Sequence, residues 1–333
     1  MEWLDQLAQQ LLDARRILIT THHNPDGDGI GCLLAMRDAL ATQEQAISLV
    51  TPGEIPARFR FLPGSRDVLD WTVLGEQDRE RLLASQDLIL VLDTHEHYML
   101  GALGDALQQA GIRTLFLDHH PFKSTPREGI YCDPNVSSTG ELCRHLIAKL
   151  LRKPMSPVAA TCLYVAITYD TNSFKYLRRR PETLRVAAEL VEMGADTDEI
   201  YRHIFASKSP AKIELTRDLL EQFHLEDGGR VAWSAIDSDL IQRTRATADD
   251  MRDLITQLLE MEGVEIAITF KERGPDRFKV SLRSKGRFPL DEVTEKLGGG
   301  GHRLASGAHV DGSLDQVTAR VLSLVQDLIT KAS

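Results

Sequence analysis

Three short apolar runs each end in a cluster of acids and histidines, and this coincidence limits the folds open to the chain. The runs are ILITT (17–21), LILVLD (88–93) and TLFLD (114–118). They open into THHNPDGDG (21–29), DTHEH (93–97) and DHH (118–120), which together hold six of the eleven histidines. Continuous apolar strands alternating with helices belong to parallel sheets covered on both faces, and sites in such sheets lie at the carboxyl ends of strands. Residues 30–40, 102–110, 139–151, 158–169 and 181–193 read as the helices, and 47–50 as a further strand. The expectation is an α/β fold: a parallel sheet with helices on both faces, and one cleft rich in carboxylate and imidazole.

The second half follows a different pattern. A long polar helix over 209–223 reads as an interdomain linker. Strands are expected at 230–236, 264–270 and 278–282, with hairpin chemistry at KERGPDRF (271–278) and helices at 248–261 and 314–332. This pattern suits a smaller α+β domain. The expected division is 1–207, a linker helix at 208–224, and 225–333, with a cleft between the two domains. A length of 333 residues suffices for two cores.

Charge restricts the partners. The formal net charge is −10, which argues against a broad basic face coating long duplex nucleic acid. It leaves room for a short anionic substrate, because a bound metal inverts the local field. No apolar run reaches the roughly 18 residues that a membrane span needs. The opening MEWLDQLAQQLLDARR reads as an amphipathic helix and not as a signal peptide. Four cysteines without a CxxC pair are expected to be reduced thiols in a cytoplasmic protein.

The chemistry concentrates in five places. His22, Asp26 and Asp28 fall on a Pro-Asp-Gly stretch whose glycines let both carboxylates enter one volume. Bare carboxylates there would repel, and divalent cations remove that cost. A calcium loop requires an acid where Ala35 stands, and a Rossmann loop requires glycine where Cys32 stands. Asp93 ends its strand; His95 and His97 after it read as supporting or surface residues. His119 and His120 follow a buried strand, one suited to a metal and the other to face substrate. Asp170, in AITYDTNSF, could close a metal site. Mixed imidazole and carboxylate suits Mn²⁺, and also Mg²⁺, Co²⁺ or Zn²⁺. In the second half, Gly298–Gly301 and His302 read as a phosphate cradle, with Arg283 and Ser284 a fork for phosphate or carboxylate.

Taken in order, HHNPDGDGIG, VLDT, LDHH, YDTNSF, RSKG and GGGGHRLASGA resemble the DHH phosphoesterase family, with a DHH-associated C-terminal domain of the first type. The resemblance is strongest to the compact nano-RNase and pAp-phosphatase type, and relatives of this size also cleave cyclic di-AMP or pApA. It implies that His22, Asp26 and Asp93 hold one metal ion, and Asp28, Asp93, His119 and Asp170 a second, with Asp93 shared. It places His120 beside the scissile phosphate. Arg283, Ser284, Gly299, Gly300, Gly301 and His302 would grip a substrate phosphate. The implied cofactors are two divalent ions, Mn²⁺ foremost, and the implied substrates are short oligonucleotides, pAp or pApA, with a homodimer as the implied assembly. The Arg-Lys-rich second domain of manganese pyrophosphatases is not found, and RecJ-type exonucleases are longer. Departures from the family pattern fall at Cys32, at Asn172, in THEHYML after Asp93, and at Ser306.

Overall fold

The protein is described by a computed structural model over residues 2–41, 45–122, 128–151, 153–177, 180–247, 249–251 and 253–332. It divides into two compact units, Met1–Ser207 and Lys208–Ser333.

The first unit runs α1 (Glu2–Asp13), β1 (Arg16–Thr21), α2 (Gly27–Ala41), β2 (Ala46–Thr51), β3 (Leu69–Asp70), α3 (Glu76–Ala84), β4 (Leu88–Leu92), α4 (Gly101–Ala110), β5 (Thr114–Asp118), β6 (Ile130–Cys132), α5 (Thr139–Leu150), α6 (Pro157–Asp170), α7 (Pro181–Glu192) and α8 (Thr197–Ile200). Its six strands are all parallel, in the order β3-β2-β1-β4-β5-β6. The order reverses between β1 and β4, which is where doubly wound sheets open a crevice at their carboxyl ends. The apolar strands feed two cores. Ile17, Ile19, Leu88, Leu90 and Leu92 pack on one side, with residues of α1, α2, α5, α6 and α7. Leu18, Ile89, Val91 and Phe116 face the other way, toward Leu83, Leu103 and Leu107. Helices α2 and α6 are buried along most of their length, so they lack the polar stripe of a surface helix.

The second unit runs α9 (Pro210–Glu221), β7 (His224–Glu226), β8 (Val231–Ile236), α10 (Ser238–Thr244), α11 (Leu254–Leu259), β9 (Ile266–Glu272), β10 (Arg277–Ser284), α12 (Asp291–Glu295), β11 (Gly300–His302), β12 (Ala305–Asp311) and α13 (Leu314–Ala332). Its mixed sheet has the order β11-β12-β10-β9-β8-β7, antiparallel except between β8 and β9. Helix α9, expected as a linker, buries Leu215 and Leu219 against Ala232, Leu240 and Leu258 and is part of this unit's core. The helix expected over 248–261 is shorter, at Leu254–Leu259; residues 248 and 252 lie outside the described residues. The strand ASGAHVD was not anticipated, because its small residues hide the alternation that its burial reveals.

Gly31 sets the approach of α2 to α6. A methyl group there would lie 2.3 Å from the Cys162 carbonyl oxygen, a backbone atom that cannot swing aside. Gly31→Ala is expected to destabilise the protein by about 1–3 kcal/mol, measured as a lower midpoint in thermal unfolding. Gly53→Ala, with nothing within 4 Å of the added carbon, should leave that midpoint in place.

Candidate metal centre

His22 follows β1 directly and is buried. Its Nδ1 lies 2.9 Å from the His23 carbonyl oxygen, so this nitrogen is the donor. Nε2 then faces Asp93 Oδ2 at 3.3 Å and Asp26 Oδ1 at 3.8 Å. Asp26 caps a helix and does not sit in an open turn. The backbone amides of Asp28 and Gly29 donate to its Oδ1 at 3.1 and 3.4 Å, so α2 begins at Gly27, three residues before the expected start. Gly29 is required by close approach, since a side chain there would collide with Thr21 Oγ1 at 2.3 Å.

Asp28 is fully buried, and the start of α5 holds it. The Thr139 amide donates to Oδ2 at 2.7 Å and the Gly140 amide to Oδ1 at 2.9 Å. A helix N-terminus is a natural seat for a carboxylate. The Thr139 hydroxyl also donates to Asp93 Oδ1 at 2.9 Å, so a single residue positions two acids. Asp93 follows β4 directly and lies in the left-handed region, at φ 63°, a conformation aspartate tolerates better than most residues. His119 Nε2 lies 3.3 Å from Asp170 Oδ2, 3.8 Å from Asp93 Oδ1 and 3.9 Å from Asp28 Oδ2. Asp170 is the last residue of α6, followed by three left-handed residues, Asn172, Ser173 and Phe174. Asparagine suits that conformation, which accounts for Asn172 where the family pattern has glycine.

The structure therefore brings His22, Asp26, Asp28, Asp93, His119, His120 and Asp170 to one edge of the sheet. Three groups there could hold a metal ion: His22, Asp26 and Asp93; Asp28, His119 and Asp170; and Asp93, His119 and His120. The donor set fits a divalent cation. Burial, then the charges of Asp93, Asp170 and Asp26, push the Asp28 carboxyl well above its ordinary range, against the Thr139 amide. For His22, burial opposes the charge, but Asp26 and Asp93 outweigh it and raise the imidazole well above its ordinary value. Both shifts report an excess of negative charge that a proton or a cation must offset.

Behind these groups lies a carboxylate that sequence reasoning did not single out. Asp118 accepts the amides of His119 and His120 at 2.7 and 3.1 Å, His120 Nδ1 at 2.7 Å, and His95 Nδ1. Burial would raise its carboxyl, but the hydrogen bonds from His120 and His95 prevail and hold it well below the usual range. His120 shows the reciprocal effect. Burial lowers its imidazole, whereas the Asp118 bond and the charges of Asp93, Asp118 and Asp170 raise it to about 9. His95 orients Asp118 and stands outside the three metal-ligating groups. The position of Asp118 at the end of a buried strand was the available signal for this role. Thr139 offered none, because its partners lie 46 and 111 residues away.

In the second unit, Arg283, Ala305 and His302 lie side by side in one row across β10, β12 and β11. The His302 side chain lies outside the described residues. The glycines do not form the open run of amides expected from the sequence. The amides of Gly298 and Gly299 donate to Glu295 and Thr294 carbonyls at 3.0 and 2.8 Å, and Gly300 and Gly301 belong to the edge strand β11. Gly301 has φ 142°, and a side chain would strike Ser306 Cα at 2.6 Å. Ser284 is buried, and its hydroxyl oxygen accepts the amides of Gly286 and Phe288, so it shapes the turn after β10.

The chain belongs to the DHH family of phosphoesterases: the model of the DHH family N-terminal domain matches residues 16–167, and that of the DHHA1 domain matches 229–331. A bifunctional oligoribonuclease and PAP phosphatase, NrnA, of Thermus thermophilus is 29% identical over 95% of this chain and 91% of its own. NrnA of Bacillus subtilis is 25% identical over 88% and 89%. A cyclic-di-AMP phosphodiesterase, PdeA, of Listeria monocytogenes is 27% identical over 90% of this chain but only 45% of its own. Among solved structures, an exopolyphosphatase-related protein from Bacteroides fragilis shares the fold, with a TM-score of 0.91 at 24% identity, covering 100% of this chain and 98% of that one. Among the described residues no helix is long and apolar enough to cross a membrane.

In the metal-free protein the His120 ring is expected to titrate at about 9. Asp118→Asn removes the acceptor charge and should lower that midpoint by roughly one to two units, followed through the ring proton resonances by NMR. An unmoved midpoint would show that Asp118 does not control this imidazole.

Proposed function

We propose that the protein hydrolyses short oligonucleotides of about two to five units to mononucleotides, and pAp to AMP, with divalent metal ions, Mn²⁺ foremost. The observation that carries this reading is the meeting of three imidazoles and four carboxylates at the switch point of the parallel sheet, with Asp93 shared between groups. The NrnA relatives, matched along nearly their whole length, support the substrate class. His22, Asp26 and Asp93 would hold one ion, and Asp28, Asp93, His119 and Asp170 the other. Bound divalent ions would lower the pKa of water and neutralise charge on the phosphoryl group.

The chain's own residues supply the remaining chemistry. His120 is part-exposed, and without metal its bond to Asp118 and the charges of Asp93, Asp118 and Asp170 raise it to about 9. With Nδ1 donating to Asp118, its Nε2–H is left to neutralise a phosphoryl oxygen or to protonate the leaving oxygen. In the DHHA1 domain, Arg283 and the β11 edge would grip a terminal phosphate, with Ser284 holding the turn beside Arg283. Four free thiols fit a reducing compartment. Opening of cyclic di-AMP is the second reading, favoured by the PdeA likeness, although the chain spans less than half of that relative.

The test is an equal-concentration panel in Mn²⁺: pAp, pApA, an RNA pentamer, cyclic di-AMP, a long single-stranded DNA and pyrophosphate. The short linear substrates should be consumed fastest. A preference for cyclic di-AMP or for pyrophosphate would replace this reading. Asp93→Ala should lower turnover by at least ~100-fold and reduce metal uptake measured by calorimetry, and a fully active variant would refute the shared-ligand assignment. Arg283→Ala should raise KM by roughly 10- to 100-fold with kcat little changed, the loss of one charged hydrogen bond. A fall in kcat alone would remove Arg283 from substrate binding.

A further inference from the structure

Strand β10 carries Arg277, Lys279, Ser281 and Arg283 at every second position. The positions between them, Phe278, Val280 and Leu282, enter the core with Val317, Val321 and Val325 of α13. The alternate set therefore lies on the other face of the sheet. Sheet register extends this face sideways. Lys279 pairs with Lys271 on β9 and with His309 on β12. Two residues on, Ser281 pairs with Thr269 and Gly307, a row of small residues. Arg283 then begins the row through Ala305 to His302. The Lys279 and Arg283 rows are four residues apart along β10, about 13 Å.

Lys279 and His309 are exposed and Lys271 is half-buried. Asp311 lies outside these rows, opposite Arg277 and 3.6 Å from it across the strands. Like charges placed directly opposite each other weaken a sheet. The cost is visible at Lys271: burial, then the charges of Arg273 and Lys279, bring its ammonium down to about 8. Burial and the same cations, with Arg277, also lower His309. A chain of net charge −10 has thus gathered basic residues on one face of the sheet, continuing into the Arg283 row.

We propose that the Lys271–Lys279–His309 row is a second anion subsite, which holds a backbone phosphate of an oligonucleotide whose terminal phosphate lies at Arg283. Between the rows Thr269 is buried while Ser281 and Gly307 are part-exposed, so the sugar-phosphate chain would pass over Ser281 and Gly307. This rests on the reading of the protein as an oligonucleotide phosphoesterase, and it makes the DHHA1 sheet a measure of substrate length. Dinucleotides and pAp are too short to span both rows.

The experiment measures binding of a fluorescent RNA pentamer and of pAp to the full-length chain without metal, at several salt concentrations. Lys279→Gln, alone and with Lys271→Gln, should weaken pentamer binding by roughly tenfold at low salt and leave pAp affinity unchanged. The slope of log affinity against log salt should shrink by about 0.7 for the lost phosphate contact, and Lys279→Arg should restore it. Unchanged pentamer binding, or equal weakening of pentamer and pAp, would overturn the subsite. Pentamer turnover by the unaltered protein in Mn²⁺ is scored separately. Its absence would count against the proposed activity, whereas a length-dependent loss of binding in the metal-free protein would still support the subsite.

Discussion

Asp28 has no exposed surface and lies among Asp26, Asp93 and Asp170, a crowding of like charge that the rest of the first domain is arranged to hold. Each acid has its own restraint. Asp28 rests on the amides that open α5, Asp26 on the amides that open α2, and Asp93 on the Thr139 hydroxyl. Asp170 faces His119. These restraints fix the carboxylates without cancelling their charge. Imidazoles supply part of the compensation, and the remainder is what gives the site its demand for cations.

The sheet makes that arrangement affordable in backbone terms. Parallel strands deliver every carboxyl end to the same edge, and the reversal of order between β1 and β4 keeps helices from closing over it. Close packing of α2 on α6, permitted by Gly31, ties the first acidic segment to the helix that ends in Asp170. Asp118 then forms a second layer. It anchors His95 and His120 together, which fixes the orientation of the His120 imidazole and, without metal, favours its protonated form. Second-layer carboxylates of this kind often tune a metal site as strongly as its ligands do.

The second domain arranges its charge by different means. Its glycines serve close packing at a sheet edge, and its cations are arranged by antiparallel register along β10 and its neighbours. Charge of one sign is concentrated at a metal-demanding edge in one domain, and charge of the other sign is laid out in rows in the second. This division reconciles an acidic chain with relatives named for acting on nucleotides.

Hydrophobic runs and their polar endings were enough to place the parallel sheet, to gather its acids and histidines at one edge and to set the order of motifs, because buried strands have a strong local signature and chemistry collects at their ends. Local pattern failed where residues are small or partners are distant. The glycine run reads as a phosphate cradle, yet its second half, Gly300 and Gly301, lies in the strand β11, since Gly and Ser hide the period of two. The start of α2 was placed late, because Asp26 as a cap is indistinguishable in sequence from Asp26 in a turn. Residue type and strand order are written along the chain. The bonds from Thr139 to Asp28 and Asp93, the Asp118 hub and the cationic rows arise only when distant segments pack, because they depend on distances in space that no local spacing encodes.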